Sequence, residues 1–80
     1  MRKRAFLLKR DGTECWYCAH ELGDDMTIEH LINRCDGGSN HTDNLVLAHM
    51  RCNKLADNKT LRQKTALRLK LRYRTAREMI

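Results

Sequence analysis

Eighty residues with sixteen Lys and Arg against ten Asp and Glu make a small, basic chain of formal net charge +6. At this length a core alone holds a fold only marginally, so a metal or disulfide staple is expected, and the four cysteines are the candidates. No apolar run is long enough for a membrane span, and Met1-Arg2-Lys3-Arg4 leads only into Ala5-Phe6-Leu7-Leu8, so no membrane association and no secretion are expected, with reduced thiols in a cytoplasmic setting.

In chain order, residues 2–10 predict a short basic helix with Phe6 and Leu7 turned inward, stopped by Asp11-Gly12. The Cys15-x-x-Cys18 knuckle follows. Residues 26–30 and 44–48 have the β-branched and apolar content of short strands, and the polar, Gly-rich stretch between them is too long for a tight turn. It therefore makes an excursion loop. From Met50 onward helix formers dominate and no glycine follows Gly38. Asp57-Asn58-Lys59-Thr60 suits a break and an N-cap, after which Ala66, Leu69, Tyr73, Ala76 and Ile80 recur along one face of a basic, amphipathic helix over about residues 61–80. Leu61, Leu67 and Leu71 fall outside that stripe, so the helix packs on two sides or meets a partner. With no proline, low-complexity tract or repeat, residues 1–80 are expected to form a single domain.

The charge is clustered: Arg2, Lys3, Arg4, Lys9 and Arg10 at the start, and Arg62, Lys64, Arg68, Lys70, Arg72, Arg74 and Arg77 at the end, opposed there only by Glu78. Basic clusters of this kind are the electrostatic footprint of a nucleic-acid binder. Cys15-x-x-Cys18 and His49-x-x-Cys52 are two ligand pairs whose two-residue gaps let one turn aim both side chains at a tetrahedral ion, which predicts one structural Zn²⁺. A redox reading of Cys15-Trp16-Tyr17-Cys18 lacks the strand before and the helix after that the thioredoxin-type motif needs. Cys35, beside Asp36-Gly37-Gly38, has no partner at knuckle spacing and is expected to be a free thiol.

Glu29-His30 at the end of a strand, Gly37-Gly38 opening a loop, Asn44-Leu45-Val46-Leu47 as a returning strand and Cys52-Asn53-Lys54 at a helix start together resemble the HNH endonucleases, whose site is a ββα-metal finger. The resemblance covers about residues 4–59. It implies an α+β fold: a small zinc-stapled ββα finger of the zinc-knuckle kind, with a short N-terminal helix and a basic C-terminal helix. It further implies a metal-dependent endonuclease that hydrolyses DNA phosphodiester bonds and, having one site, nicks as a monomer.

In that reading His30 is the general base, a role suited to imidazole, whose ordinary pKa is about 6.5. Glu29 and Asn53 hold one catalytic Mg²⁺ or Mn²⁺, ions that favour hard oxygen donors and keep several waters. Asp57, a turn after Asn53 on the same helix face, adds a carboxylate directly or through water. Asn44 bonds the backbone across the loop, since an amide both donates and accepts. Arg34 and Lys54 contact phosphate, as do Arg62, Lys64, Arg68, Lys70, Arg72, Arg74 and Arg77, with contacts mostly to the DNA backbone.

The chain also departs from the family pattern. Glu29 stands where aspartate is more usual, which moves the carboxylate by about one bond length. Asn33 stands where proline is frequent. His49 replaces a more common cysteine, which leaves Cys35 as a rival fourth ligand. Two alternatives to the nuclease stay open: a zinc-stapled DNA-binding module with a vestigial nuclease site, and a homodimer or subunit of a larger phage or restriction complex. Convergence of Glu29, His30 and Asn53 on one divalent ion separates a nuclease from a binding module.

Overall fold

The computed structural model describes residues 2–79, so Ile80, the last member of the predicted stripe, lies outside the described residues. Helix α1 spans Lys3–Asp11, strand β1 Met26–His30, strand β2 Leu45–His49, helix α2 Met50–Ala56 and helix α3 Leu61–Glu78. The fold is α+β, with three helices and one two-stranded antiparallel sheet among the described residues.

Helix α1 stops where Gly12 adopts φ 84, a conformation that costs glycine little, and turns its N–H back to the Leu8 carbonyl at 2.9 Å. Leu7 is buried against Leu45 and Leu47, whereas Phe6, predicted to point inward, is 38% exposed beneath the Arg10 guanidinium. A nine-residue helix laid on a two-stranded sheet has room to bury one stripe, and Leu7 with Leu8 fills it. Arg10 then reaches past α1 and donates to the carbonyls of Thr42 and Leu45, each at 2.9 Å, which covers part of the outer edge of β2.

The knuckle is a tight hairpin: Leu22 N–H bonds the Thr13 carbonyl at 2.8 Å and Cys15 N–H the His20 carbonyl at 2.9 Å. Its turn places Ala19 at φ 68, and Trp16 N–H clips it to the Leu47 carbonyl at 2.9 Å.

The β1–β2 register pairs Met26 with His49, Ile28 with Leu47 and His30 with Leu45. Alternation along the strands therefore separates two faces. Met26, Ile28, Leu45 and Leu47 meet Leu7 of α1 on one side. On the other, Ala48 joins Cys15, Tyr17, Cys18, Cys52 and Ala56, with Leu67 and Leu71 of α3 packed against them. Glu29 shares that second face.

Helix α3 opens on a capping box, in which Gln63 N–H bonds Thr60 Oγ1 at 3.2 Å and Thr60 N–H bonds Gln63 Oε1 at 2.9 Å. Its inward face is not the predicted stripe. Leu69 and Tyr73 are each 67% exposed, while Lys64, Leu67, Arg68, Leu71, Arg72 and Thr75 turn toward the body. The knuckle decides this, because its turn presents backbone carbonyls that need donors. Arg68 Nε reaches the Trp16 carbonyl at 2.8 Å, Arg72 Nη2 the same carbonyl at 3.0 Å and that of Cys15 at 3.3 Å, and the Thr75 hydroxyl the carbonyl of Cys18 at 2.6 Å. An apolar stripe has no hydrogen to offer there.

Candidate metal centre and active site

Cys15 and Cys18 come from the knuckle, His49 from the last position of β2 and Cys52 from the first turn of α2. All four are buried, and their donor atoms lie within 4.8 Å of one another. His49 Nδ1 is 3.4 Å from Cys18 Sγ and 4.0 Å from Cys52 Sγ. The ring's other nitrogen, Nε2, sits 2.9 Å from the Glu21 carbonyl, to which it can only donate; this fixes the tautomer and leaves the Nδ1 lone pair turned into the cluster. Burial pushes the Cys52 thiol up, as do the neighbouring Cys15 and Cys18. Burial also pushes Cys15 up, but N–H groups from Cys18, His49 and Tyr17 outweigh it and bring that thiol below its ordinary value. Three soft sulfurs and one imidazole nitrogen around one point suit Zn²⁺, and the cluster can hold a single ion. Cys35 lies exposed in a 3-10 turn, Arg34–Asp36, outside the cluster.

The excursion loop is held shut by Asn44, the residue just before β2. Asn44 Oδ1 accepts from Ile32 N–H at 2.9 Å, and Asn44 Nδ2 donates to the Ile32 carbonyl at 3.0 Å and the Ser39 carbonyl at 2.9 Å. Gly38 closes the same loop, its N–H on the Asn33 carbonyl at 2.9 Å. A Cβ at Gly38 would run into the carbonyl of Ile32. Gly38→Ala is therefore expected to cost about 1–3 kcal/mol as overpacking. In a domain of this size the loss lowers Tm by roughly 5–20 °C, and an unchanged melting curve would show that the loop is not closed this way.

His30, half-buried at the end of β1, places Nε2 2.8 Å from Asn40 Oδ1. With the proton on Nε2, donated to Asn40, Nδ1 keeps its lone pair. The Asn40 backbone carbonyl in turn accepts from Lys3 Nζ of α1 at 2.5 Å. Asn40 had no signal in the sequence, being one polar residue among many in a loop.

Glu29 is only 5% exposed. Its Oε2 accepts from the Tyr17 hydroxyl at 2.8 Å, and its Oε1 lies 3.7 Å from Lys64 Nζ. Burial, and then the Glu29 carboxylate, push the Tyr17 hydroxyl far above its ordinary value, so it stays protonated as the donor. A carboxylate has about four lone-pair positions, so Glu29 can still offer one to a hard cation. Asn53, the residue after Cys52 of the candidate zinc cluster, is half-buried in α2, which packs on β1 and β2.

Asp57 does not extend that helix face. It is the residue past α2, at φ 42 and exposed, with its N–H on the Asn53 carbonyl at 2.9 Å. The helical spacing assumed for it ends one residue earlier. Among the described residues, Glu29, His30 and Asp57 form no three-donor grouping; the cysteine and histidine cluster is the one that does.

The basic residues divide. Arg34, Lys54, Arg62, Lys70, Arg74 and Arg77 are exposed. Lys64 is 0% exposed, and Arg68 and Arg72 are half-buried on knuckle carbonyls, Arg68 also stacked over the Trp16 ring at 4.5 Å. Burial, and the nearby Arg72, lower the Arg68 guanidinium below its ordinary value. These three cations serve the interior and its margin, a correction to their expected place on a DNA-facing surface. Lys64, like Tyr17, is a site neighbour that the sequence did not reveal, although Lys64, Leu67, Leu71 and Thr75 do share a helical spacing.

A two-stranded hairpin followed by a helix, hung on a Cys₃His cluster, defines a zinc-knuckle ββα finger. The HNH endonuclease profile matches residues 15–59, more than half of the chain, and the chain belongs to that family. Membership points to a nuclease or nucleic-acid-related role. Searches of curated proteins and of solved structures returned no match. The matched span opens on the first zinc-type cysteine and closes after α2, leaving α1 and α3 outside it.

Proposed function

We propose that the chain is a divalent-metal-dependent HNH endonuclease that hydrolyses DNA phosphodiester bonds and nicks one strand as a monomer. The observation that carries this reading is His30: a histidine at the end of β1, beside a loop latched by Asn44, with Nε2 on Asn40 and Nδ1 left to accept a proton. In this role Nδ1 takes the proton of the attacking water. Asn44 acts as a positioning residue, since its bonds to Ile32 fix the chain two residues after His30.

Glu29 and Asn53 are the donors for one Mg²⁺ or Mn²⁺, an oxygen pair suited to such ions, and Asp57 takes part through water at most. When bound, the ion would supply positive charge beside the phosphate and the departing oxygen. Exposed Arg34 and Lys54 neighbour the site in sequence and would contact phosphate. Arg62, Lys70, Arg74 and Arg77 extend the basic surface along α3. A double-strand cut would need a second chain or a second event.

The alternative, a DNA-binding module with a vestigial site, draws support from one feature: the Glu29 carboxylate is buried and already beside an ammonium. Nicking of supercoiled plasmid with Mg²⁺, Mn²⁺ or EDTA separates the two. His30→Ala is expected to lower nicking by about 10²-fold to 10⁴-fold, as loss of a general base does, with zinc content and DNA binding kept. Full nicking by His30→Ala would remove His30 from the mechanism. DNA binding by the wild type without nicking in either metal would favour the binding module.

A further inference from the structure

Lys64 is the most deeply buried cation of the chain's interior, and it arrives from α3, outside the span matched to the family. Its Nζ donates to the His30 carbonyl at 2.5 Å and to Asn33 Oδ1 at 2.7 Å, and it lies 3.7 Å from Glu29 Oε1. An ammonium has three donors and no acceptor; two are bound to the His30 carbonyl and Asn33, and the charge faces Glu29 at ion-pair distance. Asn33 is fixed in turn, its Nδ2 on the Lys59 carbonyl at 3.0 Å. Tyr17 holds the other oxygen of Glu29. The carboxylate assigned to the catalytic ion is thus aimed by the Tyr17 hydroxyl and opposed by a resident, buried positive charge.

We infer that Lys64 is a positioning residue that sets the divalent-cation affinity of the Glu29–Asn53 site, keeping it low until a substrate phosphate is present. The inference rests on the reading of Glu29 as a metal ligand. An ammonium beside the carboxylate repels a second cation within a few ångströms, and that repulsion is strong where water is excluded. A phosphodiester brings the negative charge that restores the balance, and Mg²⁺ and Mn²⁺ complete their shells readily with phosphate oxygens. The ion is then loaded with the DNA and not ahead of it.

The test is Mn²⁺ binding followed by electron paramagnetic resonance on the zinc-loaded full chain, with zinc content and circular dichroism as checks of folding. Wild type is expected to bind Mn²⁺ weakly alone and more tightly with a non-cleavable phosphorothioate duplex; tight binding without DNA overturns the inference whatever the variants do. Lys64→Gln keeps donors for His30 and Asn33 but removes the charge, and it should bind Mn²⁺ about tenfold tighter or more without DNA. Lys64→Arg should stay weak. If Lys64→Gln does not fold, Lys64→Met carries the same expectation. Equal affinity in wild type and Lys64→Gln, together with weaker binding in Glu29→Gln, overturns the role of Lys64 and leaves Glu29 as ligand. If Glu29→Gln leaves Mn²⁺ binding unchanged in both the wild-type and Lys64→Gln backgrounds, Glu29 is not a ligand, and the inference falls with that reading.

Discussion

Stripping zinc with a chelator is expected to unfold the chain, with loss of most of its circular dichroism signal and exposure of all four thiols to a thiol reagent. The reason is the make-up of the core. Among the described residues, one of its two clusters consists of the candidate ligands Cys15, Cys18 and Cys52 with Tyr17, Ala48 and Ala56, and the other buries Leu7, Leu45 and Leu47. Structural zinc sites contribute about 10–16 kcal/mol, which equals or exceeds the roughly 5–15 kcal/mol of net stability of a typical domain. Zinc displaces protons from the thiols, most of all from Cys52, whose buried thiol is raised, so affinity falls as pH falls. One zinc per chain should copurify and survive Cys35→Ser, because that thiol is exposed and outside the cluster. Loss of zinc in Cys35→Ser but not in His49→Ala would overturn the ligand set. A zinc-free chain that keeps its melting transition would show that the small apolar clusters suffice.

Local chemistry made the ends of most elements legible. Gly12 stops α1 and Thr60 starts α3, because turn and cap residues act within a few positions of themselves. The four zinc-type ligands were legible for a similar reason: each pair lies within one turn. What the sequence concealed was which way α3 faces. Hydrophobic periodicity identifies the inward face only where that face is the apolar one, and here it selected Leu69 and Tyr73, which the structure exposes. The true inward face answers the carbonyls of Cys15, Trp16 and Cys18, a demand set by a turn far earlier in the chain. Glu29 and Asn33 both meet the same ammonium of Lys64, a pairing that nothing local to either residue announces, because the lysine arrives from α3.

Truncation at Thr60 is expected to unfold the protein, and not merely to weaken its hold on DNA. The cut removes Lys64, leaving Glu29 without its buried counter-charge and the His30 carbonyl without its donor; breaking a buried ion pair by losing one partner typically costs about 3–5 kcal/mol. It also removes Arg68, Arg72 and Thr75 from three knuckle carbonyls, and Leu67 and Leu71 from the zinc-side core. These losses together approach the whole net stability of a small domain. Circular dichroism and zinc content of residues 1–60 provide the measurement: a folded, zinc-bound fragment with a cooperative melt would show that α3 is dispensable for the fold. Because truncation confounds folding with binding, the DNA role of α3 is better read in the full chain. Replacing exposed Arg62, Lys70, Arg74 and Arg77 by glutamine, with Lys64, Arg68 and Arg72 left in place, should preserve the fold while flattening the salt dependence of binding by about one unit of log-log slope for each phosphate no longer neutralised. An unchanged slope in that folded variant would take DNA off this face of α3 and leave its exposed Leu69 and Tyr73 to a protein partner.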